Sequence, residues 1–299
     1  MGPDFIIIRK AVMSNSKKID TVVDDIYALF TDDNELTVSD EDMKAFADSV
    51  CQSIKRSIEE KRDRRENLRM SLVGHPDRKI WYEVNGAPQE TLSPQNRIKF
   101  LFGDILESML ILLTKTAGHT VTDEQKQVEV NGIVGHIDAK IDGVLVDFKS
   151  ASSFGFRKFK YGHLASDDPF GYIAQISSYA TAEGADEAGF LAIEKQSGEL
   201  AYLRVHSLEM IDAKERIDSV KSMAGSGQPP VRCYPDVPDG KSGNRRLDTG
   251  CVYCSFKTHC WADANDGKGL RVFSYANGER YLTRVSKEPD VPELSDAVL

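Results

Sequence analysis

The chain lacks any apolar run long enough to cross a bilayer. Its most hydrophobic cluster, Phe5-Ile6-Ile7-Ile8, is short and precedes Arg9-Lys10, the wrong order for a signal peptide. An intracellular, cytoplasmic protein without a membrane partner is therefore expected. An excess of positive charge is also missing. The formal net charge of −9 excludes a protein that coats nucleic acid by bulk attraction, but it leaves room for a local basic groove. Internal repeats and low-complexity segments are absent. Cysteine is scarce outside one stretch: of five, four fall between Cys233 and Cys260 and only Cys51 lies elsewhere. In an intracellular protein such crowding points to a metal or cluster site more than to disulfides.

What is present describes an ordinary globular chain. Its 299 residues, 40% hydrophobic and 28% charged, suffice for one sizeable core plus a smaller module. Met13 is a candidate natural start, with residues 1–12 as an extension. Ile19, Val22, Val23, Ile26, Leu29 and Phe30 recur at helical spacing, and Asp32-Asp33-Asn34 ends that helix. Thr37 or Ser39 is placed to cap a second helix with Met43, Phe46, Val50 and Ile54 on one face and Cys51 buried on that side. Its continuation to Arg69 is dense in Lys and Arg with interspersed Glu. A solvated helix laced by i,i+4 pairs accounts for it, and a DNA-backbone contact is the alternative.

The stretch from Gly135 to Ser152 reads as two strands joined by a tight turn at Asp142-Gly143. Residues two apart on a strand share a face, which groups His136 with Asp138 and Asp147 with Lys149. Acids gathered at one hairpin edge suit a divalent cation, magnesium or manganese, whose ligands are hard oxygens. A broad apolar stripe makes Asn96 to Thr116 a helix: Ile98, Phe102, Ile105, Leu106, Met109, Leu110 and Leu113. Gly103 costs that helix about 1 kcal/mol against alanine, which makes sense if something must approach the backbone there. Glu107, one turn on, is a candidate third acidic ligand.

Downstream, Val128 to Val134 reads as a strand leading into the hairpin. Phe154-Gly-Phe-Arg157-Lys158-Phe-Lys160-Tyr161 interleaves aromatic and basic residues, suiting either a buried loop anchor or stacking on bases and pairing with phosphates. A helix starting near Tyr172 puts Gln175 and Tyr179 one turn apart on one face. Phe190 to Ile193 and Leu200 to Val205 read as a hairpin, Leu208 to Met223 as a helix, and 225–230 as a linker. Cys251, Cys254 and Cys260 are spaced C-x2-C-x5-C, and with Cys233 they complete a set of four thiolates for zinc or a four-iron cluster.

Taken together, these residues resemble a RecB-type member of the PD-(D/E)xK nuclease superfamily, in particular its phage exonuclease branch with a C-terminal cysteine module. The resemblance runs from about Ser71 to the end. It rests on Gly103 to Glu107, Gly135-His-Ile-Asp138, Asp147-Phe-Lys149 and Gln175 to Tyr179, in the family's order. The cysteine triplet is similar to that of AddB-type and CRISPR-adaptation nucleases, where it binds a four-iron cluster. Those relatives take their first cysteine from before the nuclease core, where this chain has none around Arg78 to Tyr82. Cys233 would supply the fourth ligand, with Cys51 or His75 as lesser alternatives, and zinc stays open beside [4Fe-4S].

The resemblance implies an α/β restriction-endonuclease-like core, a central mixed sheet flanked by helices. Around it the expected units are a helical region over 1–70, the nuclease core over 71–225 and the cysteine-rich module over 226–299. It implies that Glu107, Asp138, Asp147 and the backbone carbonyl of Phe148 hold Mg2+ or Mn2+, with Lys149, Gln175 and Tyr179 completing the catalytic set. Arg78, Arg157, Lys158 and Lys160 are candidate DNA contacts. The implied activity is DNA exonuclease, in phage replication or recombination or in host-DNA breakdown, with single- or double-stranded DNA ends and a recombination or replication protein as partners. A structure-specific or nicking endonuclease, and a non-catalytic cluster-bearing DNA-binding adaptor, are the rival readings.

Overall fold

The computed structural model describes residues 17–59 and 68–294. The candidate start at Met13 and the basic run from Lys61 to Arg65 lie outside the described residues.

Two helices open the described chain, α1 (Val22–Ala28) and α2 (Asp40–Glu59). The Ser39 hydroxyl accepts from the Asp42 N–H at 3.0 Å and so caps α2. Helix α2 packs on α4 (Pro94–Thr116), which follows the short α3 (Asp77–Val84). Its contact face differs from the expected stripe. Ser53 is buried and Ser49 hydrogen-bonds Ser108 at 2.9 Å, whereas Met43 and Ile54 are exposed. Cys51 accordingly faces solvent and not the core. Small polar residues let α2 lie close on α4, and they turn the larger apolar groups outward. The first turns of α4 are exposed too, including Ile98 and Phe102.

The sheet at the centre is built from β1 (Val121–Thr122), β4 (Ala139–Ile141), β5 (Val144–Ala151), β6 (Glu187–Glu194) and β7 (Leu200–His206), hydrogen-bonded in the order β1-β4-β5-β6-β7. Only β5 and β6 run parallel. This is the mixed sheet expected. The intervening β2 (Gln127–Val130) and β3 (Ile133–His136) form a separate two-stranded ribbon. The strand expected over Val128 to Val134 is therefore a hairpin, turning at Asn131-Gly132 with φ of 47° and 72°.

Helices cover both faces. On one, α1 and α4 bury Val22, Ile26 and Leu110 against Ile141, Val146, Phe148 and Leu191. On the other lie α5 (Ser153–Lys160), α6 (Tyr172–Glu183), α7 (Ala213–Ala224) and the ribbon; here Phe156, Phe159, Ile176 and Ile217 meet Leu145 and Phe190. The basic-aromatic stretch is thus a helix and not a loop, because Phe156 and Phe159 at i,i+3 supply one buried face. The expected hairpin of β6 and β7 is present. Beyond α7 the chain forms β8 (Val237–Pro238), β9 (Arg245–Arg246), α8 (Thr249–Val252), α9 (Lys257–Cys260), β10 (Arg271–Tyr275), β11 (Gly278–Arg284) and β12 (Glu293–Leu294). These strands make a second sheet, β12-β10-β11-β9-β8, around Leu247, Cys251 and Trp261. Among the described residues, no helix is long and apolar enough to cross a membrane.

Candidate active site and cysteine pocket

The turn between β4 and β5 is the two-residue one expected. Ile141 pairs with Val144, and Asp142 and Gly143 have φ of 51° and 87°. The first strand of the hairpin is shorter than expected, since Gly135 and His136 belong to the ribbon. The ladder's last pair is Ala139 with Val146, so one step further Asp138 stands opposite Asp147. The Phe148 N–H donates to Asp138 Oδ2 at 2.8 Å and fixes that placement. His136 is exposed.

Asp147 is the most enclosed of the acids, with 2% of its surface exposed. It forms an ion pair with Lys149, yet both its carboxylate oxygens lack a hydrogen bond of good geometry. Lys149 Nζ also lies 4.7 Å from the centre of the Tyr172 ring. Burial opposes the charge on Lys149, but Asp147 and Asp138 outweigh it and hold the ammonium above its ordinary range. Burial, then Asp147 and Glu107, pushes the Asp138 carboxyl well above the usual carboxylate range. Glu107, reaching in from α4, is pushed up to about 7 by burial and by Asp147 and Asp104. Gln125 Nε2 donates to Glu107 Oε1 at 2.8 Å.

On α6, Gln175 Nε2 donates to the Tyr179 hydroxyl at 3.2 Å, and burial pushes the phenol up to about 12. Helix α6 starts where Asp168 Oδ2 accepts from the Ile173 N–H at 2.8 Å and Gly171 adopts φ of 74°. A Cβ on Gly74 would lie 2.1 Å from the Gly171 carbonyl oxygen, so two backbones cross here with no side chain between them. At Gly103 nothing of the protein comes so near, since an added Cβ would meet only Ser150 Oγ at 3.7 Å. The chain's own packing does not require that glycine.

Among the described residues no three His, Cys, Asp or Glu side chains form a group able to hold a metal ion. The reason for the acids is visible: Glu107 turns to Gln125, Asp138 to the Phe148 N–H and Asp147 to Lys149. The donor set still suits a hard cation. A buried carboxylate whose one charged neighbour is Lys149, beside two acids whose protons are retained by burial and by the neighbouring carboxylates, is what a cation would relieve.

Cys233, Cys251, Cys254 and Cys260 line one pocket of ≈ 80 Å³, together with Arg78, Lys79, Tyr82 and Trp261. All four are free thiols. The backbone N–H groups of Arg78 and Lys79, in the first turn of α3, face the Cys233 sulfur. Burial pushes the Cys251 thiol up to about 12 and also raises Cys233 and Cys254. Trp261 Nε1 is buried and faces the Cys251 sulfur. Arginine, lysine and an indole N–H around four sulfurs suit thiolates carrying net negative charge.

The candidate DNA contacts are distributed differently from one another. Arg78 donates from Nε to the Tyr82 hydroxyl at 3.0 Å and from Nη1 to the Pro230 carbonyl at 2.6 Å, so it ties 225–230 to α3. Lys158 pairs with Asp167 at 2.7 Å, and Lys160 pairs with Glu199. Arg157 is exposed and lies 5.7 Å from the Phe154 ring centre. Gln125 and Tyr172 are site neighbours that the sequence reading missed. No signal marks Gln125, which reaches Glu107 only through its left-handed φ of 53° and an N–H bonded to the Asp138 carbonyl.

No protein-family model matches the chain, and no curated protein matches it. Among solved structures it is similar to one described as the crystal structure of SSO0001, with TM-score 0.40 and 14% identity over 71% of this chain and 94% of that one. It is also similar to an alkaline exonuclease, LHK-Exo from Laribacter hongkongensis, with TM-score 0.36 and 16% identity over 54% of this chain and 85% of that one. The complex of that exonuclease with dAMP gives the same values.

Proposed function

We propose that the chain is a metal-dependent DNA exonuclease that hydrolyses phosphodiester bonds at DNA ends. The observation that carries this reading is the enclosed Asp147, ion-paired with Lys149 and flanked by Asp138 and Glu107, whose carboxyls are both raised by burial and by neighbouring acids. Glu107, Asp138, Asp147 and the Phe148 carbonyl would hold magnesium or manganese, which supplies a lowered water pKa and neutralises charge on the scissile phosphate. Lys149, kept charged by the acids and seated over Tyr172, would stabilise charge developing on the phosphate oxygens. Tyr179 and Gln175, bonded to each other, would position the strand beside the carboxylates. A role at DNA ends in phage replication, recombination or host-DNA breakdown belongs to the same proposal.

For the cysteine pocket we propose a [4Fe-4S] cluster held by Cys233, Cys251, Cys254 and Cys260, with zinc as the alternative; the reading is supported by the four thiols lining one pocket. Its role would be to lock the C-terminal segment onto α3, a folding role and not a redox one. Absorption near about 400 nm in the purified protein supports the cluster; a colourless protein with bound zinc removes it.

The decisive measurement is digestion of end-labelled linear DNA with magnesium or manganese, beside Asp147→Ala and Lys149→Met. Both variants should lose turnover, and Lys149→Met should keep DNA binding. Cleavage retained in Lys149→Met sinks its assigned role. Cutting of a covalently closed circle identifies an endonuclease instead, and no metal-dependent digestion of any DNA favours the adaptor.

A further inference from the structure

A groove of ≈ 640 Å³ runs between residues 68–71 and β3 and ends at Tyr179. Among the described residues its lining contains no acid, in a chain of net charge −9. Arg69 and His136 stand exposed on its two sides, and among the described residues no carboxylate pairs with either. Ser71 adds a hydroxyl and Val134, 37% exposed, an apolar surface. The floor is shaped by Gly135, where an added Cβ would sit 2.7 Å from Tyr179 Cε1 and 2.8 Å from Met70 Cβ. The missing side chain lets the ribbon press onto Tyr179, the residue that joins the groove to the Asp138 and Asp147 carboxylates.

Resting on the nuclease reading, we propose that this groove carries a single strand of nucleic acid toward the carboxylates, with Arg69 and His136 as its phosphate contacts. The chemistry is that of a phosphodiester chain. A guanidinium and an imidazole N–H meet phosphate oxygens, a hydroxyl adds a neutral donor, and the apolar rim accepts sugar or base faces. Placing phosphate contacts here also eases the problem posed by net charge, since the described residues that line the groove include no carboxylate.

The test is binding of a fluorescent single-stranded oligonucleotide to the full-length chain in EDTA, titrated with potassium chloride. Arg69→Ala should weaken binding by about three- to fivefold at low salt and reduce the slope of log K against log salt by about 0.7. Arg69→Lys should keep the slope, His136→Ala should weaken binding by about twofold, and the distant surface variant Lys214→Ala should match wild type. Unchanged affinity and slope in both groove variants overturns the proposal, as does a wild-type chain that binds no oligonucleotide or binds duplex in preference. Failure of the groove with digestion intact leaves the nuclease reading standing. Binding through Arg69 without digestion under any metal does the reverse.

Discussion

Replacing Glu107 with glutamine should make the metal-free protein more stable, and only at the higher pH values. Glu107 sits at about 7 against its ordinary 4.5, first because of burial and then because of Asp147 and Asp104. A raised carboxyl gives its full contribution to stability below about pH 4.5 and loses it as pH rises through 7. At about 1.4 kcal/mol per pH unit the loss approaches ~3 kcal/mol at pH 8 and stays below ~1 kcal/mol at pH 5. Glutamine cannot ionise and still offers an oxygen to Gln125 Nε2. Thermal unfolding in EDTA should therefore show Glu107→Gln melting about 5 °C or more above wild type at pH 8 and nearly level with it at pH 5. Saturating magnesium should narrow the pH 8 gap, because the intact acid set gains more from the cation than the variant does. A variant no more stable than wild type at pH 8, or a gain that is the same at both pH values, refutes the picture of crowded acids.

Three further outcomes follow from geometry described above. Gly103→Ala should stabilise α4 by about 0.5–1 kcal/mol in thermal unfolding, since the added methyl meets only Ser150 Oγ at 3.7 Å; lost digestion at unimpaired stability would show that the substrate uses that bare backbone. Gly135→Ala should cost about 1–3 kcal/mol and displace Tyr179, read as a lower denaturation midpoint together with impaired digestion; a wild-type midpoint contradicts the contact. Burial, with Lys79 and Arg69, lowers His75 to about 4 from 6.5, and its buried Nδ1 has no partner. The unfolded chain therefore takes up that proton first, so stability should fall by about 2–3 kcal/mol between pH 6.5 and 4, and His75→Gln should remove that component of the acid loss.

Local chemistry made some elements legible in advance. Asp142-Gly143 announced its turn because a two-residue hairpin needs positive φ at both positions. Asn131-Gly132 carries the same signal within an apolar stretch that mimics one strand, and its turn places His136 in the ribbon, apart from Asp138. Helix α6 and the β6–β7 hairpin follow apolar patterns long enough to read. The second sheet does not, because β8, β9 and β12 are two residues each, too short for an apolar alternation to show. The face of α2 departs from its apolar stripe for a related reason: hydrophobic spacing marks where a helix prefers to pack, whereas Ser49 and Ser53 mark where another helix comes close. Within the candidate site the acids and Lys149 carry their own signature. Gln125 and Tyr172 acquire theirs only from folding.

The crossing of Gly74 and Gly171 has a mechanical consequence. Residue 74 leads into the turn of α3 whose N–H groups face Cys233, and residue 171 opens the helix that bears Gln175 and Tyr179. Side chains in contact can absorb a displacement by changing rotamer, but two main chains touching directly have no such slack. The thiol pocket and the helix beside the carboxylates are therefore joined by a main-chain contact, and by Phe170, which lines the pocket and stacks on Tyr172 at 5.5 Å.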